Sequence, residues 1–199
     1  MDIHKNNDIR EYGMGRYWVK DNFLDTYDAL KAYSQYCDFE DIPNPVDGVV
    51  YPHICREIPD FIQWEIELRL QDFLGRKIQN PTIFMRMSPA GVHFPHIVHT
   101  DNSMGSYSLI LYLNDSDGGT GFAEHIETGM YMAPESEQLL QIAIDDCNKP
   151  DKWIFYDQTK MMENRGLIFN SALFHAALPI GGFGETQSDA RIVLTAFFS

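Results

Sequence analysis

The spacing of hydrophobic positions divides the chain into a helical first part, residues 1–80, and a β-rich second part, residues 81–199. Residues 16–24, RYWVKDNFL, mix aromatic and branched side chains, a composition typical of a strand. The next segment, DTYDALKAYSQYC, has apolar residues at helical spacing, and Asp25 at its start is a candidate N-cap. The pattern therefore predicts a strand followed directly by a helix.

A second helix is predicted over residues 58–75, IPDFIQWEIELRLQDFLG. Pro59 suits the first turn of a helix, and Gly75 suits its end. Between the two helices, NPVDG at residues 44–48 has the composition of a turn. We expect both helices to support the second part of the chain within a single domain.

From residue 81 the hydrophobic positions form short runs separated by Gly, Pro, Asn and Asp. The β-rich runs are TIFMRMS, SYSLILYLN, GTGFAEHI, KWIFYD, RGLIFN, ALFHAALPI and ARIVLTAFF. Many short strands with turn residues between them are typical of a sandwich, jelly roll or barrel. PESEQLLQIAIDDC, residues 134–147, is predicted to be a helix inserted between strands. The sequence thus predicts a mainly β fold of the α+β class with N-terminal supporting helices.

Composition and charge narrow the classes of function. The 199 residues are 44% hydrophobic and 13% aromatic, which is typical of a globular domain. The apolar runs are shorter than the roughly 20 residues that span a bilayer, and the N-terminus lacks a signal-peptide core, so we expect a soluble cytoplasmic protein. Cys37, Cys55 and Cys147 form no C-x-x-C pair and are expected to be free thiols. A net charge of −14 without a basic run argues against nucleic acid as a substrate.

The segment VHTDN, residues 98–102, places an imidazole and a carboxylate two positions apart. In an extended segment His99 and Asp101 project to the same side. Both groups are ligands for divalent iron, cobalt, nickel or zinc, but a stable site needs a third ligand. His175, in LFHAALP, lies within an apolar strand where a buried imidazole is costly without a partner. It is therefore the candidate third ligand.

Arg191 opens the last predicted strand, which is otherwise apolar. A guanidinium on a core strand requires a carboxylate or phosphate partner. Each feature alone has a simpler explanation, such as a hydrogen-bonded core histidine or an ion pair with one of the 29 acidic residues. The order H-x-D, then a histidine on a later strand, then an arginine on the next strand is far more specific than any one of them.

Other histidines compete for the metal. His96 lies an odd number of positions from His99 and Asp101, so in a regular strand its side chain would face away from theirs. It remains the alternative ligand. His93 has the matching parity but lies about 20 Å from His99 in an extended chain, at ~3.3 Å per residue. His125, in FAEH, is expected beside the metal ligands or on the substrate side, and not on the metal.

The motifs HTDN, LILYLND, GGTGF, NRGLIFNSALFHAALP and ARIVLTAFF occur in this order. In this the chain resembles the iron(II)- and 2-oxoglutarate-dependent dioxygenases, and within them the prolyl-4-hydroxylase-like group, above all its small bacterial and phage members. The resemblance covers roughly residues 81–198. It implies a double-stranded β-helix, or jelly roll, whose two sheets hold the metal at one open end. It also implies that His99, Asp101 and His175 are the metal ligands.

The resemblance further implies how the co-substrate binds. In this family 2-oxoglutarate takes two coordination positions of Fe(II), and O2 takes the third. Arg191 would pair with the distal carboxylate of 2-oxoglutarate. Tyr112, which shares one strand face with Ser108 and Ile110, would donate a hydrogen bond to the same carboxylate.

The chain departs from the family pattern in two places. Relatives often have a tyrosine on the strand TIFMRMS, where this chain has Met85 or Met87. The 16 positions from His175 to Arg191 are more than is usual, and the segment GGFGETQSD accounts for them as an inserted loop. Neither departure removes a ligand.

The sequence therefore indicates a hydroxylase that couples the decarboxylation of 2-oxoglutarate to succinate with the oxidation of a small-molecule or peptide substrate. The alternative is a cupin-type metal-binding β barrel that binds a small acid or sugar. A cupin has no requirement for a lone arginine on the strand after its last ligand, so Arg191 discriminates between the two. Substrate-selecting residues are expected on loops 88–98, 124–134 and 178–189. No motif identifies the substrate or the oligomeric state.

Overall fold

The computed structural model describes residues 7–12, 15–43 and 48–199. The predicted turn at residues 44–48 therefore lies almost wholly outside the described residues. Within them the chain forms eleven strands and three α-helices. None of these helices combines the length and the apolar character needed to cross a membrane.

The strands are numbered in chain order: β1 Asn7–Tyr12, β2 Gly15–Lys20, β3 Glu40–Pro43, β4 Val50–Cys55, β5 Thr82–Ser88, β6 Tyr107–Tyr112, β7 Gly119–His125, β8 Trp153–Lys160, β9 Gly166–Asn170, β10 His175–Leu178 and β11 Arg191–Phe198. The helices are α1 Tyr27–Tyr33, α2 Asp60–Leu74 and α3 Glu137–Asp146. Each β-rich run predicted after residue 81 corresponds to one of the strands β5 to β11. The predicted insert at residues 134–147 contains α3.

The strands form two antiparallel sheets. The larger sheet has the order β1-β2-β9-β6-β11-β5-β4-β3, and the smaller has the order β10-β7-β8. The fold is thus mainly β, as predicted, but β1, β3 and β4 extend the larger sheet beyond the single N-terminal strand of the prediction. Strands β3 and β4, EDIP and VYPHIC, contain prolines and charged residues, which are tolerated because these strands lie at one end of the sheet.

Both faces of the larger sheet are covered, each by different elements. Leu109 and Leu111 of β6 pack with α1 and α2 on one face. Ile110 of β6 and Val193 of β11 pack on the other face, with Phe122 of the smaller sheet. Alternate residues of one strand therefore pack into different hydrophobic clusters, one on each face of the larger sheet. This explains why the central strand β11 is an almost continuous apolar run.

Helix α2 agrees closely with the sequence prediction. Pro59 occupies the N-cap position, and Gly75 ends the helix in the left-handed conformation at φ 67°. Ile62, Ile66 and Leu70 recur at helical spacing and are fully buried in the cluster against the larger sheet. This face attaches the helix to the sheet.

The start of α1 differs from the prediction that Asp25 caps it. The helix begins at Tyr27 with Thr26 as its N-cap residue, and neither side chain makes the local capping bond. Instead, Glu65 of α2 accepts hydrogen bonds from the backbone N–H groups of Asp25 (2.7 Å) and Thr26 (3.0 Å) and from the Thr26 hydroxyl (2.6 Å). Burial alone would raise the pKa of Glu65, but these bonds hold it below its usual value. A carboxylate from another helix thus fixes this turn, which no local pattern indicates.

Candidate active site

His99, Asp101 and His175 lie together although 74 positions separate Asp101 from His175. Nε2 of His175 lies 3.2 Å from Oδ2 of Asp101, and Nε2 of His99 lies 3.7 Å from Oδ1 of Asp101. One ligand atom from each side chain lies within 4.8 Å of the other two. Two imidazole nitrogens and one carboxylate oxygen that converge in this way can hold a divalent transition metal.

The backbone fixes the two histidines relative to each other. The N–H of His99 donates to the carbonyl of His175, and the reverse bond also forms, both at 3.0 Å. Nδ1 of His175 lies 2.9 Å from the Leu173 carbonyl oxygen, and Nδ1 of His99 lies 3.3 Å from that of Ile97. A carbonyl beside Nδ1 favours the proton on that nitrogen and leaves the Nε2 lone pair facing Asp101.

Asp101 is held by strand β6 and by the turn that follows β9. Its backbone N–H donates to the Ser171 carbonyl at 2.8 Å. The Ser108 hydroxyl donates to Oδ2 of Asp101 at 3.3 Å and lies 2.9 Å from the Ser171 hydroxyl. The predicted alternation of β6 is therefore confirmed at Ser108, which faces the cluster.

The charge states of the cluster suit metal binding. Burial alone would raise the pKa of Asp101, but the neighbouring His175, His99 and Arg86 lower it to about 2. Burial, together with His175, lowers the pKa of His99 to about 4. At neutral pH the carboxyl is therefore ionised and the His99 imidazole is neutral, the forms in which both groups are ligands.

The competing histidines lie elsewhere. His93 and His96 are exposed, and Nδ1 of His96 lies 3.6 Å from Sγ of Cys147. His125 is fully buried, and its Nε2 lies 3.1 Å from Oδ2 of Asp146 in α3. His125 therefore joins the end of β7 to the inserted helix and does not lie among the three clustered residues.

A second part of the site lies between the sheets at Arg191 and Tyr112. Arg191 is 3% exposed, and its Nη2 donates to the Gly119 carbonyl at 3.3 Å. The Tyr112 hydroxyl donates to Oγ1 of Thr120 at 2.8 Å and to the Thr159 carbonyl at 3.3 Å. Burial lowers the pKa of Arg191 to about 10 and raises the pKa of Tyr112 to about 12. At neutral pH the pair is therefore a cation and a neutral hydroxyl.

Three buried donors on the strands around Arg191 have no acceptor among the described residues. Nε of Arg191 is buried without a hydrogen-bond partner, and so are the hydroxyls of Ser88 and Thr159. Ser88 stands directly opposite Arg191 in the pairing of β5 with β11. Buried polar atoms without partners are rare and costly in proteins, so their presence indicates a ligand site. A guanidinium with neighbouring hydroxyls suits a carboxylate or phosphate.

Strand pairing gives the separation of the two parts. His175 pairs with Phe122, and three positions further along the strands Leu178 pairs with Gly119. The Gly119 carbonyl is the group that accepts a hydrogen bond from Arg191. At ~3.3 Å per residue, the metal-ligand cluster and Arg191 are about 10 Å apart along the strands. A five-carbon dicarboxylate is long enough to join them.

The glycines of GGTGF permit this arrangement. A Cβ on Gly119 would lie 1.9 Å from the Thr159 carbonyl oxygen, and a Cβ on Gly118 would lie 2.3 Å from the Leu178 carbonyl oxygen. Only glycine allows β8 and β10 to approach β7 this closely. The close approach sets the Gly119 carbonyl against Arg191.

Arg86 belongs to this region, although the sequence analysis did not single it out. Met85 is fully buried in the cluster beneath the helices, and Met87 packs against that cluster, so neither faces the site. Arg86 has the opposite parity and pairs with Val193, which faces the smaller sheet. An arginine within an apolar central strand is the signal that identified Arg191, and the same signal applied to β5 would have found Arg86.

No family model matches the chain, and no curated protein matches it in sequence. Solved structures of similar fold include a Pseudomonas putida prolyl-4-hydroxylase, with 17% identity and a TM-score of 0.53 over 92% of this chain and 91% of that chain. HygX from Streptomyces hygroscopicus, with nickel and 2-oxoglutarate bound, has 11% identity and a TM-score of 0.53 over 92% and 82%. EctD from S. alaskensis, with bound Fe, has 13% identity and a TM-score of 0.52 over 92% and 72%.

These similarities extend over more than nine-tenths of this chain. At such identities the shared property is the path of the backbone. The resemblance deduced from the sequence motifs is confirmed at that level. The chain has the fold of the iron(II)- and 2-oxoglutarate-dependent oxygenases.

Proposed function

We propose that the protein is an Fe(II)- and 2-oxoglutarate-dependent dioxygenase, specifically a hydroxylase, whose metal ligands are His99, Asp101 and His175. The observation that carries the proposal is the pairing of this cluster with a buried guanidinium, Arg191, about 10 Å along the strands. The two sheets would be the halves of a double-stranded β-helix, and the chain would act as one domain. The metal and 2-oxoglutarate in HygX and the Fe in EctD support the same cofactors here.

The donor set suits Fe(II). Two histidines and one carboxylate are the ligands typical of non-haem iron oxygenases, and they leave coordination positions open for 2-oxoglutarate and O2. The ionised Asp101 and neutral His99 need not lose a proton before the metal binds. The carbonyls of Ile97 and Leu173 would hold both rings in the ligating orientation.

Arg191 would bind the distal carboxylate of 2-oxoglutarate. Its Nε has no acceptor among the described residues, so a bidentate carboxylate would satisfy it. Ser88, opposite Arg191, and the neutral hydroxyl of Tyr112 would donate to the same carboxylate. The other end of the co-substrate would then reach the metal.

The protein residues bind and orient the reactants and exclude water. When bound, iron with 2-oxoglutarate and O2 supplies the oxidising chemistry, in which 2-oxoglutarate becomes succinate and carbon dioxide while the substrate is hydroxylated. Phe169 lies with its ring centroid 4.7 Å from that of His175, and Phe122 contacts Phe169 edge to face in the same apolar cluster. These rings would keep bulk water from the inner side of the metal.

The decisive experiment measures 2-oxoglutarate binding without turnover. Calorimetric titration into the metal-loaded, oxygen-free protein should give a dissociation constant about tenfold higher or more for Arg191→Met and Arg191→Lys, because lysine cannot replace a bidentate guanidinium. Tyr112→Phe should weaken binding by roughly fivefold, for one lost hydrogen bond of ~1 kcal/mol. Metal affinity should be unchanged in all three variants. Arg76→Met, which removes an exposed arginine, is the control.

A cupin-type metal barrel predicts a different result. There Arg191→Met would alter stability, while 2-oxoglutarate would bind wild type and variant equally or not at all. Equal affinities would therefore overturn the proposal.

A further inference from the structure

Arg86 is a second guanidinium on the inner face of the larger sheet. Its carbon Cζ lies 4.9 Å from the ring centroid of Phe94 and 5.6 Å from that of Tyr51. Phe94 belongs to the loop after β5, one of the segments expected to select the substrate. Rings on the faces of a guanidinium stabilise the cation and leave its in-plane N–H groups free for a ligand.

The Arg86 side chain lies within electrostatic reach of both parts of the site. It contributes to lowering the pKa of Asp101, of His99 and of Arg191. Arg86 stands opposite Val193 and Ser88 stands opposite Arg191, so the two arginines lie on the same face of the larger sheet, two positions apart along the strands. A molecule bound beside Arg191 on that face is therefore next to Arg86.

No described acidic side chain forms an ion pair with Arg86, and its Nε is buried without a hydrogen-bond partner. Burial accordingly lowers the pKa of Arg86, and the nearest carboxylate that opposes this is Asp101. Asp101 already faces the two histidines at 3.2 Å and 3.7 Å. A half-buried cation whose Nε is fully buried and which has no dedicated counter-ion is costly, so its retention on an apolar strand indicates a ligand.

The charges of the loaded site leave Arg86 uncompensated. The negative charges are those of Asp101 and the two carboxylates of 2-oxoglutarate, and the positive ones are those of a divalent metal, Arg191 and Arg86. One positive charge therefore remains without a counter-ion, and Arg191 is already matched by the distal carboxylate. The positive charge without a counter-ion is therefore that of Arg86.

We propose that Arg86 binds an anionic group of the primary substrate, a carboxylate or a phosphate monoester, and so restricts the substrates to organic anions. This inference rests on the proposed function, because it assigns 2-oxoglutarate to Arg191 and the metal. Tyr51 and Phe94 hold the guanidinium plane in place. The forked N–H groups then donate hydrogen bonds to the substrate anion beside the metal.

The test uses simple anions as probes and needs no turnover. The protein is loaded with Co(II) and saturated with 2-oxoglutarate without oxygen, and the paramagnetic broadening of added trifluoroacetate is followed by fluorine NMR. Trifluoroacetamide is the neutral probe of similar shape, and methyl phosphate, followed by phosphorus NMR, is the phosphate arm. The wild-type protein should broaden the NMR signal of one of the two anions far more than the signal of the amide. In Arg86→Met the apparent affinity for that anion should fall about tenfold or more, and in Arg76→Met it should not change.

Each outcome is decisive. One anion should have its signal broadened by wild type and much less by Arg86→Met. That anion identifies the substrate group that Arg86 binds as a carboxylate or a phosphate. Broadening that is equal in wild type and Arg86→Met, or absent for both anions, overturns the inference while leaving the proposed function standing. A large loss of 2-oxoglutarate affinity in Arg86→Met would assign Arg86 to the co-substrate and also overturn it. Failure of wild type to bind 2-oxoglutarate would instead overturn the proposed function.

A melting experiment separates ligand binding from a structural role. Because Arg86→Met removes a half-buried charge without a counter-ion and leaves an apolar side chain in its place, the metal-free variant should melt at the same temperature as wild type or higher. If Arg86 served mainly to neutralise Asp101 within the fold, the variant would melt several degrees lower, and the inference would fail.

Discussion

Among single residues, the histidines near Asp101 differ in what their ring nitrogens contact. His99 and His175 each have Nδ1 beside a backbone carbonyl and Nε2 beside Asp101. His96 is exposed and lies against Cys147 instead. The three-residue cluster therefore leads to a specific expectation for metal binding.

We expect His99→Ala, Asp101→Ala and His175→Ala each to abolish stoichiometric Fe(II) binding, because two remaining ligands hold the ion poorly. His96→Ala should bind one iron per chain, as wild type does. Oxygen-free titration with Fe(II), followed by metal analysis after gel filtration, measures the stoichiometry. Loss of iron in His96→Ala together with its retention in His99→Ala would show that the ligand register is wrong.

The convergence of His99, Asp101 and His175 could be predicted from the sequence, because an H-x-D pair projects to one side of an extended segment and His175 on a later strand supplies a third group. Their role as metal ligands stays a prediction. Arg86 was not singled out, although it stands within an apolar strand as Arg191 does. That Arg86 lies on the same sheet face as Arg191 follows only from the register of β5 with β11. Likewise, the sequence identifies Tyr112 as inward-facing, but it does not indicate that its hydroxyl bonds to Thr120. The local sequence shows which residues of a strand share a face. Which of the two faces packs against the helices depends on the tertiary structure.

Among the elements, the contact between α1 and α2 depends on one carboxylate. Glu65 accepts hydrogen bonds from two backbone N–H groups and from the Thr26 hydroxyl, and its Oε1 lies 2.9 Å from Nη2 of Arg69. The two backbone N–H groups and the Thr26 hydroxyl lose this acceptor if the carboxylate is removed, whereas Arg69 keeps its contact with Asp25. Buried donors without acceptors are costly.

We expect Glu65→Ala to lower the free energy of unfolding by roughly 2–4 kcal/mol, measured by urea denaturation. Glu67→Ala, on the same helix, should change it by less than about 0.5 kcal/mol. Since the pKa of Glu65 is lowered from 4.5 in the folded state, its contribution is present above that pH and is lost as the pH falls below it. The difference between wild type and Glu65→Ala should therefore shrink in acid. A pH-independent difference would contradict this assignment.

Helix α2 and strands β5 to β11 could be predicted because their hydrophobic periods are strong and their ends carry Pro, Gly and Asn. Strands β3 and β4 could not be predicted, since β4 forms by pairing with β5 and β3 by pairing with β4, and not by their own strand propensity. The start of α1 was mispredicted for a similar reason, because its fixing carboxylate lies 39 positions away.

For the whole molecule, the net charge of −14 contrasts with the two arginines, Arg86 and Arg191, on the inner face of the larger sheet. The excess of carboxylates repels polyanions such as duplex DNA. The two inner arginines would attract only an anion that is small enough to reach them.

We accordingly expect no measurable binding of duplex DNA at physiological salt, tested by fluorescence anisotropy with a labelled 20-base-pair duplex over a salt series. Small anions should bind under the same conditions by the NMR test above. Micromolar DNA affinity with a steep salt dependence would contradict the charge argument.

The reciprocal backbone bonds between His99 and His175 join points 76 positions apart in the chain. In terms of chain entropy, a metal held by both residues is a cross-link that closes a loop containing α3 and four strands. By analogy with a disulfide of that loop length, the closure reduces the freedom of the unfolded chain by an amount on the order of 4 kcal/mol. The same ion that would serve catalysis would therefore also govern how long the folded chain survives in the cell, and iron scarcity would shorten its lifetime as well as its activity.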